Sequence, residues 1–160
     1  MAAESNAATA FAERELVITR VFEAPRELVF KAWTDPRHIA QWWGPEGFTL
    51  PAWEIDLRPG GAYRFHMRAR DGTDHWLQGV YREVVAPERI VCSFTWADAA
   101  GNPTTPATLL TVTFAELGAL TTITLHQVEF ESATARDEHR EGWSGSFECL
   151  AEHLAAIRNA

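Results

Sequence analysis

Six histidines, two cysteines and a scatter of carboxylates are the groups with which this chain could do chemistry. His38, His66, His75, His126, His139 and His153 include no His-x-His or HExxH spacing, so local structure holds no two of them to one metal ion. Neither a metal nor a cofactor is expected. Cys92 and Cys149 also lack ligand spacing, and their apolar neighbours predict buried free thiols. Cys92, set between Ile90 and Phe94, should have its thiol quieted by a raised pKa. Ser144-Gly145-Ser146 does not complete a nucleophile elbow, and no glycine-rich phosphate loop is present. What remains for acid–base work is Glu54, Glu83 or Glu129, each of which would have to be buried to hold a useful proton.

Binding is the better use of this composition. Seven tryptophans and nine phenylalanines supply more aromatic wall than an ordinary core needs. The expected ligand-lining set is Trp43, Phe65, Met67, Tyr81, Phe94, Trp96, Leu110, Val112, Gln127, Trp143 and Phe147. Taken singly, each also reads as core packing; together they suit an apolar pocket with few polar groups. Tyr81 and Gln127, each with a donor and an acceptor, are expected to orient the ligand.

Those residues need elements to position them. Leu16 to Glu23 reads as a strand, and Pro25 opens a short helix carrying Leu28, Val29, Ala32 and Trp33. Asp35-Pro36 announces a second helix, capped by Asp35 and stopped by Gly44-Pro45. From Trp53 the hydrophobic period drops to two, giving strands at 53–57, 62–70, 75–85, 90–96, 109–116 and 120–130, with short turns between most of them. Their inward residues are expected to include Tyr63, Phe65 and Met67, then Leu77, Gly79 and Tyr81, then Ile90, Cys92, Phe94 and Trp96. Leu110, Val112 and Phe114 follow, then Thr121, Ile123, Leu125 and Gln127. Arg64, His66, Arg68 and Arg70 have the other parity and read as a solvated face.

Only Ser132 to Ile157 is long enough to cover such a sheet. Trp143, Phe147, Leu150, Leu154 and Ile157 recur at helical spacing, despite Gly142 and Gly145, each costing about 1 kcal/mol in a helix. Leu150, Leu154 and Ile157 are expected to anchor this helix, and Trp143 and Phe147 to face a cavity beneath it.

The 160 residues divide into an expected flexible tail at 1–13 and one domain at 14–160. The formal charge of −8 opposes binding to phosphate backbones, so nucleic acid is not an expected partner. Nothing at the amino terminus resembles a signal peptide or membrane span, which together with free thiols points to a cytoplasmic protein without membrane insertion. A homodimer through an edge strand or the paired short helices is left open.

Several motifs carry a family resemblance: Phe22-Glu23-Ala24-Pro25, the run AWTDPRHIAQWWGP at 32–45, Asp56-Leu57-Arg58-Pro59-Gly60-Gly61, Gly79 to Val84, Pro87 to Val91, and Gly142-Trp143. With the element order, they make the chain resemble the START-like (SRPBCC) superfamily, and within it the family named for the activator of heat shock protein 90 ATPase homologue. The resemblance implies an α+β helix-grip fold, a seven-stranded antiparallel sheet curved around a long carboxy-terminal helix. It further implies an interior cavity for an apolar or aromatic small molecule such as a lipid or polyketide. Two alternatives follow: a cyclase, hydratase or hydrolase using a pocket acid or base, and an interaction module with a chaperone partner.

Overall fold

The alternating stretches form one ladder of antiparallel strands, and the helical stretches close one side of it. A computed structural model describes residues 12–158. In order these are β1 (Leu16–Phe22), α1 (Arg26–Thr34), α2 (Pro36–Trp42), β2 (Thr49–Ile55), β3 (Ala62–Arg68), β4 (Asp74–Val85), β5 (Arg89–Ala97), β6 (Thr108–Leu117), β7 (Leu120–Val128) and α3 (Ala133–Arg158). The sheet order is β1-β7-β6-β5-β4-β3-β2, so the last six strands form a meander and β1 joins its far edge. Of the expected tail, residues 1–11 lie outside the described residues, whereas Ala12 and Glu13 are helical.

Side-chain parity follows from the two-residue period. Leu77, Ile123 and Leu125 are wholly buried, and Tyr63, Phe65, Met67, Phe94, Val112 and Phe114 lie with them in the core. The opposite face is wet. There the Arg64 guanidinium donates to Gln78 Oε1 and to the carbonyls of Asp98 and Ala99. His66 Nε2 lies 2.8 Å from Asp74 Oδ1, which also accepts from Arg68 Nε at 2.9 Å. The basic row thus holds the outer surface of the sheet together.

One strand starts earlier than its pattern predicts. β2 begins at Thr49 rather than Trp53, and its pairing with β3 shifts between Thr49 and Ala52. Pro51 lies in that interval. It lacks a ladder N–H and so hides the strand from a pattern reading, while an edge strand tolerates it.

α3 is continuous from Ala133, with Ser132 Oγ accepting from the Ala135 N–H at 3.1 Å in its first turn. Trp143, Phe147, Leu150 and Leu154 are buried on its inner face, and Ile157 is half-buried. The two helix glycines do different things. A Cβ at Gly145 would lie 3.1 Å from the Pro45 side chain, so this glycine permits close packing, whereas one at Gly142 would meet nothing within 4 Å.

Candidate functional site

The α2–β2 connection is held against the middle of α3, and this contact shapes the site. Asp35 Oδ1 accepts from the Arg37 N–H at 3.0 Å and caps α2; that hydrogen bond holds the Asp35 carboxyl below its usual pKa. At the other end, Gly44 takes φ +91°, a left-handed conformation that turns the chain sharply, and donates its N–H to Ser146 Oγ at 3.1 Å. With Pro45 seated on Gly145, the corner presents Trp43 and Phe48 to the gap between sheet and helix.

That gap is a cleft of about 290 Å³ open to solvent. Trp43, Gly44, Pro45 and Phe48 form one wall, Met67, His75, Leu77, Phe94 and Trp96 form its sheet side, and Glu138, His139, Gly142, Trp143 and Ser146 line it from α3. The rings meet at steep angles: Trp43 and Trp143 lie 5.4 Å apart at 81°, and Phe94 and Trp96 lie 5.7 Å apart at 90°.

Of the expected ligand-lining residues, Trp43, Met67, Phe94, Trp96 and Trp143 therefore line one cleft. Phe65, Tyr81, Leu110 and Val112 lie deeper, around a void of about 30 Å³ that Trp33, Trp43, Tyr63, Ile90 and Cys92 also border. The enclosed cavity expected beneath the helix is thus only a small void, because tryptophans fill the space. Trp33 packs against Trp42, Trp43 and Trp143 with ring centroids 5.0 to 5.8 Å apart. Its Nε1–H is buried without an acceptor.

Gln127 and Phe147 reach neither space. Gln127 Oε1 accepts from Trp143 Nε1 at 2.9 Å, and its Nε2 donates to Thr108 Oγ1 at 2.8 Å. The carboxamide thus props the wall formed by Trp143. Phe147 contacts Phe22, Trp33 and Trp143, and is core despite its place on the helix stripe. Tyr81 is buried beside the void, where desolvation pushes its hydroxyl above the ordinary pKa.

The polar groups in the cleft come instead from His75, Glu138, His139 and Ser146, which the sequence reading did not select. His139 is the most constrained. Trp96 Nε1–H can only donate, so His139 Nε2, 3.0 Å away, accepts; Nδ1, 2.8 Å from the Ala135 carbonyl, must carry the hydrogen. Both contacts therefore require a neutral ring, and burial correspondingly lowers the His139 pKa. A sequence signal for this residue existed: His139 stands four residues before Trp143, on the same helical face.

The remaining candidates for chemistry are dispersed. Glu54, Glu83 and Glu129 are exposed and line neither the cleft nor the void. Burial pushes the Cys92 thiol up to about 12, and Cys92 and Cys149 are both free. Cys149 is half-buried rather than buried. The fold brings His38 Nδ1 and His153 Nε2 to 3.0 Å, a pairing 115 residues apart in sequence. Among the described residues no three His, Cys, Asp or Glu side chains form a metal-binding group, and no helix is long and apolar enough to cross a membrane. A second hollow, of about 380 Å³, lies across the Trp43–Phe48 connection. It is the less suitable site, because exposed Gln41, Glu46 and Glu152 make its lining polar and the sheet contributes nothing to it.

A seven-stranded antiparallel sheet with two short helices after its first strand and a long carboxy-terminal helix is the START-like, helix-grip arrangement, which commonly houses hydrophobic ligands. The sequence profile described as "Activator of Hsp90 ATPase homolog 1-like protein" matches residues 23–155, and the chain belongs to that family. A crystal structure of a protein from Chromobacterium violaceum is 31% identical, with 88% of this chain and 96% of that chain covered and a TM-score of 0.76. An AHSA1 protein from Silicibacter pomeroyi is 26% identical over 89% of this chain and 99% of its own, with a TM-score of 0.80. A protein from Nitrosomonas europaea, at 23% identity and a TM-score of 0.77, covers 93% of this chain and 99% of its own and shares the fold. No curated protein matches the chain by sequence.

Proposed function

We propose that this protein binds a small apolar or aromatic molecule in the cleft between the Trp43–Phe48 connection, the sheet and α3. The observation that carries the reading is the lining itself: Trp43, Phe48, Phe94, Trp96 and Trp143 surround about 290 Å³ of open space, in a fold that commonly houses hydrophobic ligands. Affinity comes from burying the ligand's apolar surface, at about 25 cal/mol per Å² before the cost of immobilisation. The volume sits near the lower end of the ~300–1,000 Å³ usual for ligand pockets, which favours a ring-sized occupant over a long acyl chain or polycyclic polyketide.

Gly142 provides the test, since it lines the cleft and a side chain added there meets open space. Titration with tert-butylbenzene, followed by tryptophan fluorescence and by NMR shifts, should report binding to the native protein. Gly142→Leu should abolish that binding while retaining thermal stability. Equal binding by Gly142→Leu, or failure of the native protein to bind tert-butylbenzene or any charged molecule of its shape, would refute the site.

A further inference from the structure

We propose that the cleft selects an organic cation, a quaternary or aromatic ammonium group seated among its rings, over neutral and anionic molecules of the same shape. The proposal rests on the cleft being the ligand site and adds the charge of what it takes.

Three observations lead there. The lining rings stand at steep angles to one another, Phe94 to Trp96 at 90° and Trp43 to Trp143 at 81°, so rings of differing orientation border the cleft. The negative face of an aromatic ring attracts a cation, most strongly for tryptophan, and a box of such rings suits an ammonium too bulky to donate hydrogen bonds. Among the described residues Glu138 is the only carboxylate on the lining, and no lysine or arginine joins it; Arg70 lies against Gly47, outside the cleft. An anionic ligand would thus meet a carboxylate and no lysine or arginine, with His75 and the Ser146 hydroxyl to offer it donors, whereas a cation gains Glu138.

The third observation is His139. It is held neutral by the Trp96 indole on one nitrogen and the Ala135 carbonyl on the other. It therefore places no positive charge against the incoming ammonium and turns no donor toward an anion. The whole-chain charge of −8 favours the approach of cations over anions to the protein as a whole.

The test compares three molecules of nearly one shape: phenyltrimethylammonium, tert-butylbenzene and benzenesulfonate. Calorimetric or fluorescence titration of the full chain should give an affinity for the cation about tenfold above that for the neutral isostere. The anion should bind weakest. Glu138→Gln, an isosteric change at an exposed position, should lower the cation's affinity about three- to tenfold and leave that of tert-butylbenzene unchanged. If tert-butylbenzene binds as tightly as the cation and Gly142→Leu abolishes its binding, the cleft remains a ligand site and the cation preference is refuted. If Glu138→Gln weakens all three equally, the carboxylate is not a charge partner and the proposal falls. If none of the three binds, the ligand site and the cation preference fail together.

Discussion

Gln127 shows how a polar side chain is recruited to structure rather than recognition. It is wholly buried, and both ends of its carboxamide are occupied, one by the Trp143 indole and one by the Thr108 hydroxyl. Gln127→Leu leaves the Trp143 N–H buried without an acceptor, at about 1–3 kcal/mol, whereas the Thr108 hydroxyl still donates to the Phe94 carbonyl at 3.1 Å. Urea unfolding should show the loss, and a double-mutant cycle with Trp143→Phe should show that part of it is shared. His139 makes a pH-dependent contribution. Burial lowers its folded-state pKa from the ordinary 6.5, and His153 is lowered too, by burial and by the adjacent His38. The stabilisation from keeping these rings neutral is thus complete above about pH 6.5 and is lost as the pH falls through their folded-state values. Urea midpoints measured from pH 7.5 to 5 should decline, and His139→Gln should decline less steeply over the same interval.

At the scale of the elements, α3 carries two functions along its length. Its lower half anchors: Leu154 is buried, and Leu154→Ala should cost about 2–5 kcal/mol in unfolding free energy. Its upper half borders the cleft, where Gly142→Ala should instead stabilise by about 1 kcal/mol, because the helix gains and nothing is crowded. Phe147→Ala belongs with Leu154 and should cost about 3–5 kcal/mol, with probe binding altered only as far as its neighbour Trp143 shifts. In the sheet, Gly79 is the critical small residue. A Cβ there would fall 1.9 Å from the Ser93 carbonyl and 2.7 Å from the Tyr63 hydroxyl, which itself donates to that carbonyl at 2.6 Å. Gly79→Ala should therefore destabilise by about 3 kcal/mol, read from the shift in chemical unfolding.

Over the whole molecule, 22 acidic against 14 basic residues give a net negative charge that draws cations. Raising ionic strength from about 0.01 to 0.15 M shortens the screening length from about 30 to 8 Å. The affinity for phenyltrimethylammonium should fall a few-fold across that range, while that for tert-butylbenzene holds; isothermal titration at the two salt concentrations measures both. An unchanged cation affinity would mean that rings alone, without the net charge, set the preference.

The sequence by itself determined the element order, the inward parity of β3 to β7, the cap at Asp35 and the family, because periods of two and 3.6 and turn residues act over a few neighbours. The aromatic wall was legible as a composition, and of the residues it suggested Trp43, Met67, Phe94, Trp96 and Trp143 border one cleft. Which aromatics border open volume and which fill it was decided only by tertiary packing. Trp33 slots between three other indoles and closes most of the expected interior, leaving Phe147 in the core and Tyr81 beside a small void. The pairing of Trp96 with His139, 43 residues apart, has no local signature either. Parity states which way a side chain faces, whereas a cleft is the volume left when residues far apart in sequence have packed, and that depends on all of them at once.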